Sequence, residues 1–175
     1  ITGGGSGIGL ECAKRLLADG CAVTIMGRSG DRLRDAALTL EDFAPTRALV
    51  RTVAGDAKSE DDVSAAVRIS TEATGGLNFA VASAGRGGLG PIITTPLEEW
   101  TDIVATNLTG TFLLFKHAGA AIASTGGGAM RRATLPTCST SPRRCSPAGA
   151  ASCSPTTPTR GVTAIRATCR SARAR

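Results

Sequence analysis

A chain of 175 residues with 42% apolar side chains is long enough for one domain with a buried core. No run approaches the ~20 uninterrupted apolar residues that cross a bilayer, since the best candidate, Phe112 to Ile122, carries Lys116 and His117; without a charged-then-apolar leader either, a soluble cytoplasmic protein with no membrane partner is the expectation. The net charge of +6 is uneven: residues 1–130 hold eleven Lys or Arg against fourteen Asp or Glu, a net −3, while the last 45 residues hold nine Arg and no acid, so the basicity belongs to the tail and excludes overall charge as a guide to what the domain binds.

The chain opens on Ile1-Thr2-Gly3-Gly4-Gly5-Ser6-Gly7-Ile8-Gly9. This is the end of an apolar strand, a glycine-rich turn and the start of a helix, the layout of a dinucleotide pyrophosphate site. One glycine makes the tight turn, one admits the phosphates to the backbone, and Gly9 lets the helix pack close to the sheet. Only Ile1 and Thr2 stand before the loop, so most of the first strand is expected to be missing. A helix is predicted over Gly7 to Asp19, with Ile8, Cys12, Leu16 and Leu17 at helical spacing, then a strand over Cys21 to Met26. Asp31 to Phe43 reads as a polar helix with Leu33, Ala37 and Leu40 inward, and Ala48 to Val53 as a strand.

Ser59-Glu60-Asp61-Asp62 places a cap and three acids at the positive end of the next helix, where the dipole favours them. The strand Asn78 to Ser83 follows, then an irregular loop over 84–95 with four glycines. A long helix is predicted from Leu97 to about Ala123, with Trp100, Ile103, Val104, Leu108, Phe112 and Phe115 on or near one face. Asn107 lies in its middle, and an amide in an apolar helix must find partners or point to water, which marks it as a candidate functional residue. The alternation implies an α/β fold: a three-layer Rossmann-type doubly wound parallel sheet, incomplete at its first strand and with no strand after the long helix.

Residues 131–175 differ in kind. They comprise nine Arg, fourteen Ser or Thr, eight Ala, five Pro and four Cys, with Leu135, Val162 and Ile165 as the only branched aliphatics. That composition cannot offset the entropy of ordering the chain, so a disordered basic tail is expected after a partial dinucleotide-binding domain at 1–130. The switch after Gly126-Gly127-Gly128-Ala129-Met130 has the residue usage of a GC-rich coding sequence translated in the wrong frame. An arginine-rich tail could attract nucleic acid through counterion release, but it carries no interleaved aromatic and no recognition motif, so no specific nucleic-acid partner is expected.

Five ordered features make residues 1 to about 130 resemble the short-chain dehydrogenase/reductase family. They are Thr2-Gly3 with Gly7-Ile8-Gly9, then Gly27-Arg28, Gly55-Asp56, Ala82-Ser83-Ala84-Gly85 and Asn107-Leu108-Thr109-Gly110. The resemblance implies a nicotinamide cofactor, a small alcohol or carbonyl substrate and a homo-oligomer among full-length relatives. It implies that Thr2, Gly3, Ser6, Gly7, Ile8 and Gly9 hold the pyrophosphate and its ribose. It implies that Asp56 accepts a hydrogen bond from the adenine amino group beside Ala57, and that Ala84 and Gly85 close the wall. Asn107 matches the helix asparagine that orders a water in the family's proton relay. Gly27-Arg28 leaves space and supplies a guanidinium for a 2′-phosphate where an acid would select NAD, so NADP is the expected cofactor, with NAD as the alternative.

The family's chemistry also needs a tyrosine four residues before a lysine, and a serine on the preceding strand. This chain has no tyrosine, and its lysines are Lys14, Lys58 and Lys116. Of the family's catalytic set only Asn107 has a match, so no activity is expected of this chain; a non-catalytic dinucleotide-binding protein is the alternative. His117, with no acid, Cys or second His near it in sequence, reads as a surface residue. Cys12 and Cys21 read as small core residues, and the spacing of Cys138, Cys145, Cys153 and Cys169 is unlike a zinc site, so no metal is expected.

Overall fold

The computed structural model describes residues 1–44, 49–88 and 90–133. The late cysteines, and the expected tail from residue 134 onward, lie outside the described residues.

Within the unit Ile1–Ala133, helices and strands alternate as α1 (Gly7–Ala18), β1 (Val23–Gly27), α2 (Gly30–Glu41), β2 (Val50–Ala54), α3 (Glu60–Thr74) and β3 (Phe79–Ala82). After an irregular stretch come α4 (Leu97–Val104), a π-helical turn (Ala105–Thr109), α5 (Gly110–Ser124) and β4 (Ala129–Arg132). Caps explain the starts of two helices: the Ser29 hydroxyl accepts from the Arg32 amide at 3.3 Å and the Ser59 hydroxyl from the Asp62 amide at 3.3 Å. Gly75 closes α3 in the left-handed conformation at φ +74°.

The strands are parallel throughout. β1 pairs with β2 from Val23 opposite Val50 to Gly27 opposite Ala54, and β3 with β4 from Phe79 opposite Ala129 to Ala82 opposite Arg132. Thr2 joins the two pairs, bridging to Met26 on one side and Ala82 on the other. Its amide donates to the Val81 carbonyl at 3.0 Å and its carbonyl accepts from the Ser83 amide at 3.1 Å, while the Met26 amide donates to the Ile1 carbonyl at 2.9 Å. The order is therefore β2, β1, Thr2, β3, β4, with the centre of the sheet represented by two residues.

Apolar side chains cover both faces, as a parallel sheet requires. Met26 packs with Val63, Ala66, Ala80, Ala82, Leu113, Leu114, Ala118 and Ile122, the layer of α3 and α5. Ile25, its neighbour in β1 and so on the opposite face, is fully buried; α1 and α2 pack on that side, burying Ala13, Leu16, Leu17, Leu33, Ala36 and Leu40. Ala36 takes the buried position in α2 where the sequence pointed to Ala37, which is only half-buried. Cys12 and Cys21 are half-buried rather than in the core.

Two expectations change. The sequence offers no strand after the long helix, yet β4 is present and its Ala133 amide continues the ladder to the Ala82 carbonyl at 2.9 Å. Ala129-Met130-Arg131-Arg132 has no apolar alternation; what makes it a strand is the unpaired edge of β3, which any backbone can satisfy. The long helix, in turn, is broken by the π turn. An extra residue there rotates the following face, so α5 buries Leu113, Leu114, Ala118 and Ile122, whereas Trp100, Leu108 and Phe112 are 51%, 68% and 60% exposed. Among the described residues no helix is long and apolar enough to cross a membrane.

Candidate cofactor-binding site

Thr2 is where the strand order reverses: β1 and β2 lie to one side of it, β3 and β4 to the other. A crevice opens at such a point, outside the carboxyl ends of the strands. Here it is a cleft of about 670 Å³. Its floor is the turn from Thr2 to Ile8, one wall is Gly27-Arg28-Ser29 with Arg32, the far end is Gly55-Asp56-Ala57, and the other wall is Ser83 to Arg86 with Thr106 and Ala133.

The floor is built for close approach. Gly3 has φ +65°, and a Cβ there would lie 2.6 Å from the Ala84 amide nitrogen, so only glycine lets the turn pass against the end of β3. A Cβ on Gly9 would meet the Gly3 carbonyl at 2.4 Å; Gly9 is buried under the turn and does not line the cleft. Gly7 is the opposite case. At φ +52° with nothing within 4 Å of its missing Cβ, it faces open space at the first turn of α1. Ser6 caps that helix without a side-chain hydrogen bond, so the leading amides of α1 carry their partial positive charge toward the cleft. This floor fits a pyrophosphate.

The far end is set by β2 and the start of α3. The Asp56 amide donates to Asp62 Oδ2 at 2.8 Å, and Asp56 Oδ1 accepts from the Lys58 amide at 3.0 Å. The Lys58 ammonium lies 3.7 Å from Asp56 Oδ2 but 2.6 Å from Asp102 Oδ1 on α4. Arg86 also pairs with Asp102 through its guanidinium. The bond to Lys58 foremost, and that to Arg86, hold the Asp102 carboxyl below the ordinary carboxylate range; Asp102 in turn raises the Lys58 ammonium. Gly110 brings α5 against this end, since a Cβ there would lie 3.0 Å from the Ala57 carbonyl.

Asn107 does not line the cleft; it holds the wall that does. Its Oδ1 accepts from the Arg86 amide at 2.9 Å and its Nδ2 donates to the Arg86 carbonyl at 2.8 Å, so one side chain clamps both polar groups of one peptide position. Gly85 makes room for it, because a Cβ at that position would meet Asn107 Oδ1 at 3.0 Å. The π turn presents the amide. Around it the Thr106 and Thr111 hydroxyls donate to the Asp102 and Asn107 carbonyls at 2.9 and 2.8 Å, satisfying groups that an altered helical ladder leaves short of partners.

Comparison with known proteins decides the lineage. The family model for short chain dehydrogenases matches residues 1–130. The chain belongs to the short-chain dehydrogenase/reductase family. A short-chain dehydrogenase/reductase eriH from Hericium erinaceus is 40% identical over 121 residues, 68% of this chain and 48% of that protein. A short-chain type dehydrogenase/reductase from Mycobacterium ulcerans superposes with a TM-score of 0.71 at 36% identity, over 75% of this chain and 48% of that one. The L-sorbose reductase from Gluconobacter frateurii, solved with NADPH and L-sorbose, gives 0.69 at 30% identity over 75% and 49%. This chain spans about half the length of the curated relatives that it matches.

Members of this family bind NAD or NADP. The cleft gathers Thr2, Gly3, Ser6, Gly7, Ile8, Arg28, Asp56, Ala57, Ala84 and Gly85, ten of the positions expected from sequence, while Gly9 and Asn107 support it from behind. Arg32, Arg86 and Thr106 join the lining without having been singled out. Arg32 could have been found, as the first-turn residue of a Ser29-capped helix that begins beside Arg28. Arg86 and Thr106 depend on contacts across the fold.

His117 has an acidic partner that is distant in sequence: Glu60, 57 residues earlier, lies 2.9 Å from its Nε2 and 2.6 Å from the Lys116 ammonium. Lys116 first, then His117, lowers the Glu60 carboxyl. This junction pins the start of α3 to α5 at the surface. Among the described residues no cluster of His, Cys, Asp or Glu could hold a metal ion.

Proposed function

We propose that residues 1–133 are the NADP-binding half of an oxidoreductase acting on an alcohol or carbonyl group, and that the 175-residue chain does not turn over by itself. When bound, the nicotinamide accepts or donates the hydride at the substrate carbon. This chain's residues bind and orient: the α1 amides and Gly7 receive the pyrophosphate, Asp56 takes the adenine amino group, and Asn107 keeps the Arg86 wall in place.

The observation that carries the NADP reading is the wall after β1. Arg28 and Arg32 both line the cleft there, and no acid stands between Gly27 and Ser29 to bond a free ribose 2′-hydroxyl. The NADPH complex of the sorbose reductase relative is in keeping with this. Turnover would need a proton donor at the substrate oxygen. The family's tyrosine is missing from the sequence, and the three lysines are committed elsewhere: Lys14 to Glu11, Lys58 to Asp102 and Lys116 to Glu60.

Titration of NADP and NAD against the full chain and Arg28→Ala tests the cofactor. A charge-assisted bond to the 2′-phosphate contributes ~1.5 kcal/mol at this exposed position, so NADP should weaken about tenfold and NAD hardly at all. Equal losses for the two cofactors would remove the basis for NADP. Measurable reduction of a carbonyl substrate by pure chain, lost on changing Asn107, would overturn the inactivity.

A further inference from the structure

We infer that Asp102 is a positioning residue for adenine recognition: it draws the Lys58 ammonium away from Asp56 and so leaves Asp56 Oδ2 open to the purine amino group. This rests on the reading of Asp56 as the adenine contact.

The distances define a competition for one cation. Lys58 sits between two carboxylates, 2.6 Å from Asp102 Oδ1 and 3.7 Å from Asp56 Oδ2. The first is a charge-assisted hydrogen bond and the second is beyond hydrogen-bond reach. Asp56 Oδ1 is already engaged by the Lys58 backbone amide at 3.0 Å, which makes Oδ2 the oxygen available to a ligand. Asp56 lines the cleft, whereas Lys58 and Asp102 lie outside it, in the hollow against Leu97, Thr101 and Ala105.

Removal of the charge on Asp102 leaves Lys58 only a neutral amide oxygen as its nearer partner, against a full carboxylate at Asp56. A flexible ammonium 3.7 Å from the remaining carboxylate then closes onto it, because the lysine stem rotates at little cost and the attraction rises as the distance falls. Oδ2 is then occupied by a three-donor cation. An incoming amino group finds a competitor that it must displace. Asp102 also holds Arg86, whose backbone remains clamped by Asn107 at both polar groups, so the effect through Lys58 is separable from any effect through the wall.

Adenosine diphosphate and inosine diphosphate provide the probe pair. They differ along the 6-edge of the purine, where an amino donor beside a bare N1 becomes a carbonyl acceptor beside a protonated N1, so their affinity ratio reads recognition of that edge and the Asp56→Ala variant assigns the ratio to Asp56. The full chain should prefer ADP about tenfold or more, the value of a hydrogen bond to a charged acceptor. Asp56→Ala should bring the ratio near one. Asp102→Asn should do the same, and Lys58→Met in the Asp102→Asn background should restore the preference, because a methionine cannot occupy Oδ2 and the Lys58 amide bond to Oδ1 remains. Lys58→Met or Arg86→Gln alone should leave the preference intact.

Restoration by the second substitution also answers unfolding, which a further change could not repair. The inference is overturned where Asp102→Asn keeps the wild-type ratio, where Lys58→Met fails to restore it, or where Arg86→Gln reproduces the loss. A chain that shows no preference for ADP, or one that keeps it in Asp56→Ala, overturns the adenine reading of Asp56 instead, and the role of Asp102 with it.

Discussion

Replacement of Asn107 by alanine removes a clamp whose value can be worked from its geometry. The side chain makes two hydrogen bonds, 2.9 Å from the Arg86 amide and 2.8 Å to the Arg86 carbonyl, each worth ~0.5–1.5 kcal/mol net. Arg86 is exposed, so water replaces part of what is lost, and the expected destabilisation is ~1–2 kcal/mol rather than the upper sum. Asn107→Asp should be no better than alanine, since a carboxylate still accepts from the amide but turns a lone pair toward the Arg86 carbonyl. Urea unfolding of the full chain followed by circular dichroism gives the global value, and amide hydrogen exchange at Arg86 gives the local one. Stability unchanged within ~0.3 kcal/mol together with undiminished protection of the Arg86 amide would refute the clamp, because water at this exposed position offsets part of the two bonds and not the whole of them.

Other outcomes follow from the same geometry. Gly3→Ala should destabilise by more than the ~1–2 kcal/mol of its left-handed backbone alone, as the new Cβ would press on the Ala84 backbone, whereas Gly30→Ala, with nothing within 4 Å, should be neutral or stabilise by up to ~1 kcal/mol; thermal melts of the pair separate the two. Asp102 has a folded pKa below its ordinary value of 3.8, so the stabilisation from its junction is complete above that value and is lost as pH falls through the lower folded one. Acid unfolding of Asp102→Asn should accordingly show a shallower fall below pH 3.8 than the parent. Chain shortened to end at Ala133 should keep its NADP affinity, while chain ending at Gly128 should lose it, because β4 and the lining residue Ala133 go together; equal affinities from fluorescence titration would count against β4 as part of the site.

Much of this architecture was legible because its signals are local. The glycine turn, the acids behind Ser59 and the alternation of apolar periods each occupy consecutive residues, and each is decided by backbone sterics or dipoles that act over one turn. Asn107 stood out as an amide in an apolar helix, and the structure gives it the partners that such a group must find. What it binds was not legible: Arg86 is 21 residues away, and Lys58 meets Asp102 across 44, distances that only the assembled sheet closes. β4 was hidden for another reason. Its side chains are largely exposed and its place is set by hydrogen bonds of the main chain, which every sequence carries alike. The π turn likewise left no mark that an α-helical period could reveal, so the one face read from Trp100 to Phe115 does not run on as the buried face of α5.

Thr2 stands at the junction of two strand pairs. The gap just beyond it is the very turn on which a dinucleotide would rest, flanked by Arg28 on the side of one pair and Ala84 on the side of the other. A ligand lying across that gap acts as a strut between the two halves. Its binding free energy then appears directly as resistance to unfolding, ~2.7 kcal/mol when it is present at a hundred times its dissociation constant, so cohesion and cofactor supply are tied to each other in this fold.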